Sequence, residues 1–302
     1  MPEQEFQLQL NKQEHQDFHM EHQRKKQEEW EAGQEIMAAV YNGAGVFFSG
    51  RLDLAEAFSE GHELSCCIDE GVAHLKTEAE GKMFMAGSGI LYPAKSWADR
   101  LDRVARLFIK LGVKKVTSHG GCGAAKLAWQ RDSPDLDLAK VAKDSFDTYG
   151  VEWTRALSVK INELKRDNNL PGEVDYQHIE PQVLVRPKEF HNARVAYFDG
   201  TGQFNPDRLT NLPMGFVINY KADSELGETD EEKNYPWTEL EVATGIALGN
   251  HGFGNKFTTE NPFLILAIAE DEDELVKLKT KAEAVAGKYA GRVQVDGFLA
   301  SR

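Results

Sequence analysis

The sequence predicts an α/β fold: a mainly parallel β-sheet flanked by helices, with an N-terminal helical arm and an extra C-terminal α/β unit. From about residue 44 onward, short apolar runs alternate with amphipathic segments. The clearest helix is 97–111, where Leu101, Val104 and Phe108 fall on one face and Gly112 follows as a C-terminal cap. Strands that alternate with helices favour a parallel sheet with right-handed crossovers.

Apolar runs bounded by turn residues predict the strands, and periodic segments predict the helices. The expected strands are 62–69, 82–86, 113–118, 183–185, 194–198, 213–220, 263–269 and 292–295. The expected helices are 4–40, 72–79, 97–111, 122–129, 136–167 with a break at Gly150, 238–248 and 273–289.

This pattern divides the chain into an arm (1–43), a main α/β domain (44–210) and a C-terminal α/β extension (211–302). The arm is rich in Gln, Glu and Lys, and its apolar residues are too sparse for an independent core. Two interpretations stay open: a helix lying on another subunit or on the main domain, or a partly disordered tail. No internal repeat is evident in the sequence.

The charge excludes several classes of partner. The 302 residues carry a formal net charge of −14, which argues against nucleic acid and anionic membranes, because both bind cationic surfaces. No run approaches the roughly 18 apolar residues of a membrane-spanning helix, and Met1 is not followed by a secretory signal. We therefore expect a cytoplasmic protein, in which the three cysteines are reduced thiols.

Three residues from distant segments have the chemistry of a zinc site. Cys67 follows a predicted strand, and His119 and Cys122 lie where another strand passes into a helix. Ligands bind at the carboxyl ends of strands in open α/β sheets, and two thiolates with one imidazole suit tetrahedral zinc. Such a set leaves a fourth position for water, substrate or a carboxylate, and Asp69 is the nearest carboxylate in the sequence.

Competing assignments exist for these and other residues. Cys66 could replace Cys67, but side chains alternate along a strand, and Cys67 shares its side with Asp69. Three histidines in the arm have helical spacing, yet they lack a Cys or carboxylate frame, and we expect exposed polar residues: His15, His19 and His22. The glycine-rich segment 249–254 follows a helix and lacks a Lys-Ser/Thr ending, which indicates a flexible turn rather than a phosphate-binding loop.

The pair of motifs Cys67-x-Asp69 and His119-Gly120-Gly121-Cys122-Gly123 resembles the β-class carbonic anhydrases, which carry C-x-D-x-R and G-H-x-x-C-G at similar separation. The likeness covers roughly 44–210, which would make that part a β-carbonic-anhydrase-like zinc domain. The arm is also similar to the helices with which members of that family embrace a dimer partner. The last ninety or so residues have no counterpart in the resemblance.

The resemblance implies a zinc lyase that converts carbon dioxide and water to bicarbonate reversibly, through zinc-bound hydroxide. It implies Cys67, His119 and Cys122 as zinc ligands, Asp69 as the catalytic hydrogen-bond acceptor, and a homodimer or higher homo-oligomer. His74 could carry protons, although a buried or exposed histidine without that role is the more usual case.

One departure from the family's pattern stands at Gly71, where the family has an arginine that pairs with the aspartate and holds it off the metal. Asp69 would then be freer to occupy the fourth position, unless another basic residue replaces the arginine. Candidates by nearness in sequence are Lys76, Lys95, Arg100 and Lys126.

The lost arginine leaves two further functions open. A changed pocket could direct the site to a related small molecule, such as carbonyl sulfide or carbon disulfide. Alternatively, Asp69 could close the metal permanently, which would make the chain a non-catalytic zinc-binding scaffold.

Overall fold

The computed structural model describes residues 19–134 and 144–300 and has an α/β architecture with two four-stranded sheets. Neighbouring strands within each sheet are parallel, and helices flank both sheets. The predicted fold class is confirmed. No helix of the described residues is long and apolar enough to cross a lipid bilayer.

The first sheet has the strand order β2-β1-β3-β4. Its helix α5 matches the predicted bounds, because Ser96 accepts the Asp99 N–H at the start and Gly112, with φ 77°, ends it in a left-handed conformation. The elements of this part are β1 (Leu64–Cys66), α4 (Glu70–Ala73), β2 (Lys82–Phe84), α5 (Trp97–Leu111), β3 (Lys115–His119), α6 (Gly123–Asp132), α7 (Asp144–Asp167) and β4 (Asp175–Ile179).

The second sheet repeats that topology, with the order β6-β5-β7-β8. This repeat is one of strand order, and it is not recognisable as a repeat of residues in the sequence. Its elements are β5 (Val195–Asp199), β6 (Gly215–Asn219), α8 (Tyr220–Leu226), α9 (Asp230–Lys233), α10 (Tyr235–Leu248), β7 (Phe263–Ala269), α11 (Glu272–Ala286) and β8 (Val293–Leu299).

The division between the sheets falls earlier than the expected boundary at 210. Strand β5 pairs with β6 and β7, so the first sheet ends at Ile179 and the second begins at Val195. We call 180–194 the crossover segment. Its residues 183–185, predicted as a strand, form none.

Three more expectations differ from the structure. Strand β4 was not predicted, since Asp175 and Gln177 are exposed and leave the run too polar to be read as a strand. The expected helix 72–79 stops at Ala73. Helix α7 has no break at Gly150, where the missing side chain permits close packing against Ala125; residues 136–143 of the expected helix lie outside the described residues.

The N-terminal segment packs on the second part of its own chain. Residues 19–32 form helix α1, followed by α2 (Gln34–Tyr41) and α3 (Ala44–Ser49). The Lys26 ammonium donates to the carbonyl oxygens of Asn250 and Gly252, both at 2.7 Å. Trp30 packs edge-on against Phe253 with ring centroids 5.0 Å apart. The described part of the arm is therefore a docked helix, and its first eighteen residues lie outside the description.

The two sheets are joined by direct contacts. The Val217 N–H of β6 donates to the Ile68 carbonyl just after β1, at 3.2 Å. Lys82 of β2 forms a buried ion pair with Asp207, Nζ to Oδ2 3.2 Å. The first contact lies next to Cys67, and the second joins the start of β2 to the second part of the chain.

Candidate metal centre

Cys67, His119 and Cys122 meet at the carboxyl ends of the neighbouring strands β1 and β3. Cys67 follows β1, His119 is the last residue of β3, and Cys122 is the N-cap of α6. All three are buried, and their ligand atoms lie within 4.8 Å of one another. The structure thus brings together the predicted set, and Cys67, rather than Cys66, belongs to it.

The geometry and chemistry of the group fit a metal ion. The two Sγ atoms are 4.0 Å apart, and sulfurs about 2.3 Å from a tetrahedral zinc would be separated by about 3.8 Å. The Nε2 atom of His119 is buried without a hydrogen-bond partner, whereas Nδ1 contacts the Gly120 carbonyl oxygen at 3.0 Å. A buried nitrogen with no partner is costly unless something binds it. A buried Cys-His-Cys group that can bind a metal ion is present.

Protons are shared within this cluster. The hydrogen bond to Cys122, together with burial, raises the pKa of the Cys67 thiol, whereas that bond and the nearby N–H groups of Ala125 and Ala124 lower the pKa of Cys122. Burial alone would lower the pKa of His119, but the Cys67 sulfur and the Asp69 carboxylate outweigh it and raise the pKa to about 9. A divalent cation would displace these protons on binding.

Asp69 is held beside the cluster by a guanidinium. Arg186 Nε donates to Asp69 Oδ1 at 2.9 Å and to Oδ2 at 3.2 Å, and the Gly71 N–H donates to Oδ1 at 2.9 Å. Burial would raise the pKa of Asp69, but Arg186, His119 and His191 lower it far below its usual value. Asp69 is therefore an ionised carboxylate with both oxygens engaged.

Gly71 makes room for that guanidinium. A Cβ at Gly71 would lie 2.6 Å from Cγ of Arg186. The glycine at the position of the family's arginine is thus coupled to an arginine that arrives from the crossover segment. Sequence reasoning missed Arg186, because it lies 115 positions after Gly71, in the segment that follows the first sheet; the unusual glycine was the available signal.

The four basic residues suggested as replacements lie elsewhere. Arg100 pairs with Asp132, Nη1 to Oδ2 3.1 Å, and the Lys126 ammonium lies 5.8 Å from the Phe146 ring centre. Lys76 lines a cleft together with residues of β3 and β4, and the Lys95 backbone N–H binds Asp99. Among the described residues, none of the four forms an ion pair with Asp69.

The crossover segment covers the metal centre. Pro181 lies against Gly120, where a Cβ would come within 2.3 Å of Pro181 Cγ, and the Val185 N–H donates to the Gly71 carbonyl at 3.2 Å. A cleft of about 440 Å³ between this segment and the arm is lined in part by Arg186. The larger cleft of about 1290 Å³, between the arm and the 249–256 loop, is lined by other residues than the three candidate ligands.

A second acidic group adjoins Asp69. His191 Nδ1 lies 2.9 Å from Glu70 Oε2 and 3.7 Å from Asp69 Oδ2, and the Asn192 N–H donates to Glu70 at 2.9 Å. Burial opposes the charged form of His191, but Glu70 outweighs it and raises the pKa. Together with Arg186, these residues form a network that ties the crossover segment to the turn after β1, and no local sequence motif indicates it.

The remaining histidines have other surroundings. His74 is buried, and its Nε2 accepts the Gly215 N–H at 3.2 Å; burial and Lys82 lower its pKa to about 4, which suits a structural role better than proton transfer. His19 and His22 line the larger cleft and do not belong to the Cys67, His119 and Cys122 group, and His15 lies outside the described residues.

Comparisons with known proteins add no identification: no protein-family model, curated protein or solved structure matches this chain. The site's own geometry therefore carries the functional argument.

Proposed function

We propose that the chain is a zinc-dependent lyase of the carbonic anhydrase type, which hydrates carbon dioxide reversibly to bicarbonate. The observation that carries the proposal is the Asp69–Arg186 pair beside the Cys67, His119 and Cys122 cluster. The resemblance of the two sequence motifs to β-class carbonic anhydrases supports it, and Arg186 supplies the cation that the sequence had seemed to lack at Gly71.

The ligand set favours zinc over other divalent ions. Two thiolates and one imidazole are soft to intermediate donors, which suit zinc, and a three-residue set is typical of catalytic rather than structural zinc sites. A bound zinc ion would supply Lewis acidity and bring the pKa of a coordinated water to about 7.

The protein's own residues would control that water. Cys67, His119 and Cys122 would hold the ion, and burial excludes bulk solvent from it. Asp69, kept ionised by Arg186, would accept a hydrogen bond from the attacking water and orient its lone pair towards the carbon of carbon dioxide. The reaction forms one C–O bond, releases one proton and yields bicarbonate.

Arg186 also bears on the scaffold alternative. A carboxylate that already accepts hydrogen bonds from a guanidinium and an N–H group has less reason to occupy a metal's fourth position than an unpaired one. Self-association into a homodimer or larger homo-oligomer remains a prediction, which sedimentation of the purified chain would measure.

The test is stopped-flow hydration of carbon dioxide by the zinc-loaded full chain, with Cys67→Ser as the matched inactive control. We expect hydration above the buffer rate for the unaltered chain and none for the variant. A zinc-loaded chain with no hydration from neutral to alkaline pH would contradict the proposal. Sulfide release from carbonyl sulfide or carbon disulfide would then favour the related hydrolase, and absence of both activities the scaffold.

A further inference from the structure

Helix α10 of the second part of the chain packs over the metal cluster of the first. Glu239 Oε1 accepts the Ala86 N–H at 2.5 Å, in the turn after β2. Two helical turns later, Ile246 Cδ1 lies 3.6 Å from the place where a Cβ on Gly123 would stand. One face of α10 therefore contacts the surroundings of the cluster on two sides.

The turn held by Glu239 touches the cluster directly. The Gly87 N–H donates to Cys67 Sγ at 3.2 Å, and a Cβ on Gly87 would lie 3.5 Å from Cys122 Sγ. Gly87 and Ser88 both have left-handed backbone conformations, with φ of 54° and 52°. A serine rarely adopts this conformation unless its surroundings impose it, so the aim of the Gly87 N–H depends on what fixes the turn.

Glu239 is an unusual residue to find in that place. It is fully buried, and the groups that act on it, the Ala86 N–H and the Tyr235 hydroxyl, carry no charge. Burial raises the pKa of Glu239 to about 8, against the effect of those two groups. In either protonation state Oε1 can accept the Ala86 N–H, while burial of an ionisable group without a counterion is unfavourable. Such groups concentrate at functional sites.

We propose that Glu239 is a positioning residue of the metal centre, contributed by the second part of the chain: it holds the Met85–Ala86 peptide, and through it the next peptide along the turn, so that the Gly87 N–H points at the Cys67 sulfur. A hydrogen bond to a ligating thiolate withdraws charge from it, and partners outside the ligand set tune both metal affinity and the electronic state of the site. The inference rests on the metal binding in the proposed function and is independent of the reaction.

The experiment uses the full chain loaded with Co²⁺, whose thiolate-to-metal charge-transfer absorption reports the charge on the sulfurs. Glu239→Leu removes the acceptor and should move the Co²⁺ absorption band and weaken Co²⁺ binding about tenfold in a chelator competition. Glu239→Gln keeps an acceptor oxygen and should restore the unaltered band. Thr244→Val is the matched control: Thr244 is buried on the same helix, its hydroxyl donates to the Leu240 carbonyl at 2.7 Å, and the change should leave both the band and the affinity unchanged.

A folded Glu239→Leu chain with the unaltered band and affinity would overturn the proposal, as would a Glu239→Gln chain that changes as much as Glu239→Leu. If Glu239→Leu fails to fold, Glu239→Asp decides: its carboxyl falls one methylene short of Ala86, so the band should move, and an unmoved band overturns the inference. Absence of hydration activity in the unaltered chain would contradict the proposed function, but it would not affect the outcome of this spectroscopic test.

Discussion

The two sheets share one strand order but differ at the ends of their strands. In the first, Asp69 accepts the N–H of the second residue after it, Gly71, at 2.9 Å; in the second, Asp199 accepts the Thr201 N–H at the same distance. Two residues before each aspartate stand Cys67 and the buried Tyr197, respectively. The same backbone turn therefore follows a candidate metal ligand in one sheet and an aromatic core residue in the other.

The third strands diverge in the same way. Strand β3 ends at His119, and the N-cap of the following helix is Cys122, whose side chain makes no cap hydrogen bond. Strand β7 is apolar throughout, and the next helix has Asp271 as N-cap, accepting the Glu274 N–H at 2.8 Å. In the second sheet these positions pack or cap the fold, and in the first they hold the residues of the candidate metal centre. On the proposed function, the difference between the sheets is confined to a few residues at strand ends of a shared scaffold.

The largest expected difference between the two sheets is in metal binding, which should depend on residues of the first sheet alone. Cys67→Ser should abolish stoichiometric metal binding, because a hydroxyl is a poor substitute for a thiolate. Cys66→Ser is the matched control: Cys66 is buried next to it but outside the cluster, so metal content should stay at one ion per chain. Elemental analysis of both purified variants measures this, and equal metal loss in the two would break the assignment of Cys67.

The next largest effect is expected from removing the Arg186 guanidinium, which pairs with Asp69 in the first sheet. Arg186→Met leaves the buried Asp69 carboxylate without its guanidinium partner and with His191 3.7 Å away, which should lower the free energy of unfolding of the metal-free chain by about 3–5 kcal/mol. Urea denaturation measures it.

Arg106→Met is the control for that prediction, because Arg106 forms an exposed pair with Asp102 one helical turn away. Its loss should cost under about 0.5 kcal/mol. Adding Asp69→Asn to Arg186→Met should recover part of the stability by removing the unpaired charge. An Arg186→Met chain as stable as Arg106→Met would mean that Arg186 does not carry the Asp69 charge.

The joint between the two sheets can be tested through pH. Burial and Lys82 lower the pKa of His74 to about 4, and its Nε2 accepts the N–H of Gly215 in β6. In the unfolded chain the pKa of this histidine is about 6.5. The free energy of unfolding is therefore unaffected by the protonation of His74 above that pH, and it falls by up to roughly 3 kcal/mol as the pH drops to about 4.

His74→Gln should remove that pH dependence from the free energy of unfolding, measured between pH 7 and 4. The control His178→Gln alters a histidine that bonds Ser118 within the first sheet, 2.9 Å away, and should keep the original slope. An unchanged slope in His74→Gln would show that His74 is not the group that loses stability in acid.

The smallest expected effects are changes in stability when one glycine of each part of the chain is replaced by alanine. Gly120→Ala would drive a methyl group into Pro181 and should cost about 1–3 kcal/mol. Gly245→Ala in α10 meets nothing closer than 3.9 Å and should gain up to about 1 kcal/mol from helix propensity. Thermal unfolding of both variants gives the signs, and a neutral Gly120→Ala would argue against close coverage by the crossover segment.

The sequence predicted what depends on local pattern. Helix α5 was predicted with its bounds because its apolar face, N-cap and terminal glycine are all local signals. The cluster of Cys67, His119 and Cys122 followed from residue type and from the rule that ligands gather at strand ends.

What could not be predicted depends on contacts between distant residues. Arg186 reaches the site from the crossover segment, and Glu239 from helix α10. Neither residue lies in a local sequence motif that would indicate a role at the site. The repeated strand order could not be recognised from single matching residues such as Asp69 and Asp199. Strand β4 was missed because two of its five side chains, Asp175 and Gln177, are exposed and polar.

The most direct test of the metal centre is anomalous diffraction at the zinc absorption edge from crystals of the full chain. We predict a single peak about 2.3 Å from the sulfurs of Cys67 and Cys122 and about 2.0–2.1 Å from Nε2 of His119, with Asp69 still paired to Arg186 and no peak at the second sheet. A zinc-grown crystal with no peak between those three atoms, or with Asp69 as the fourth ligand, would contradict the account.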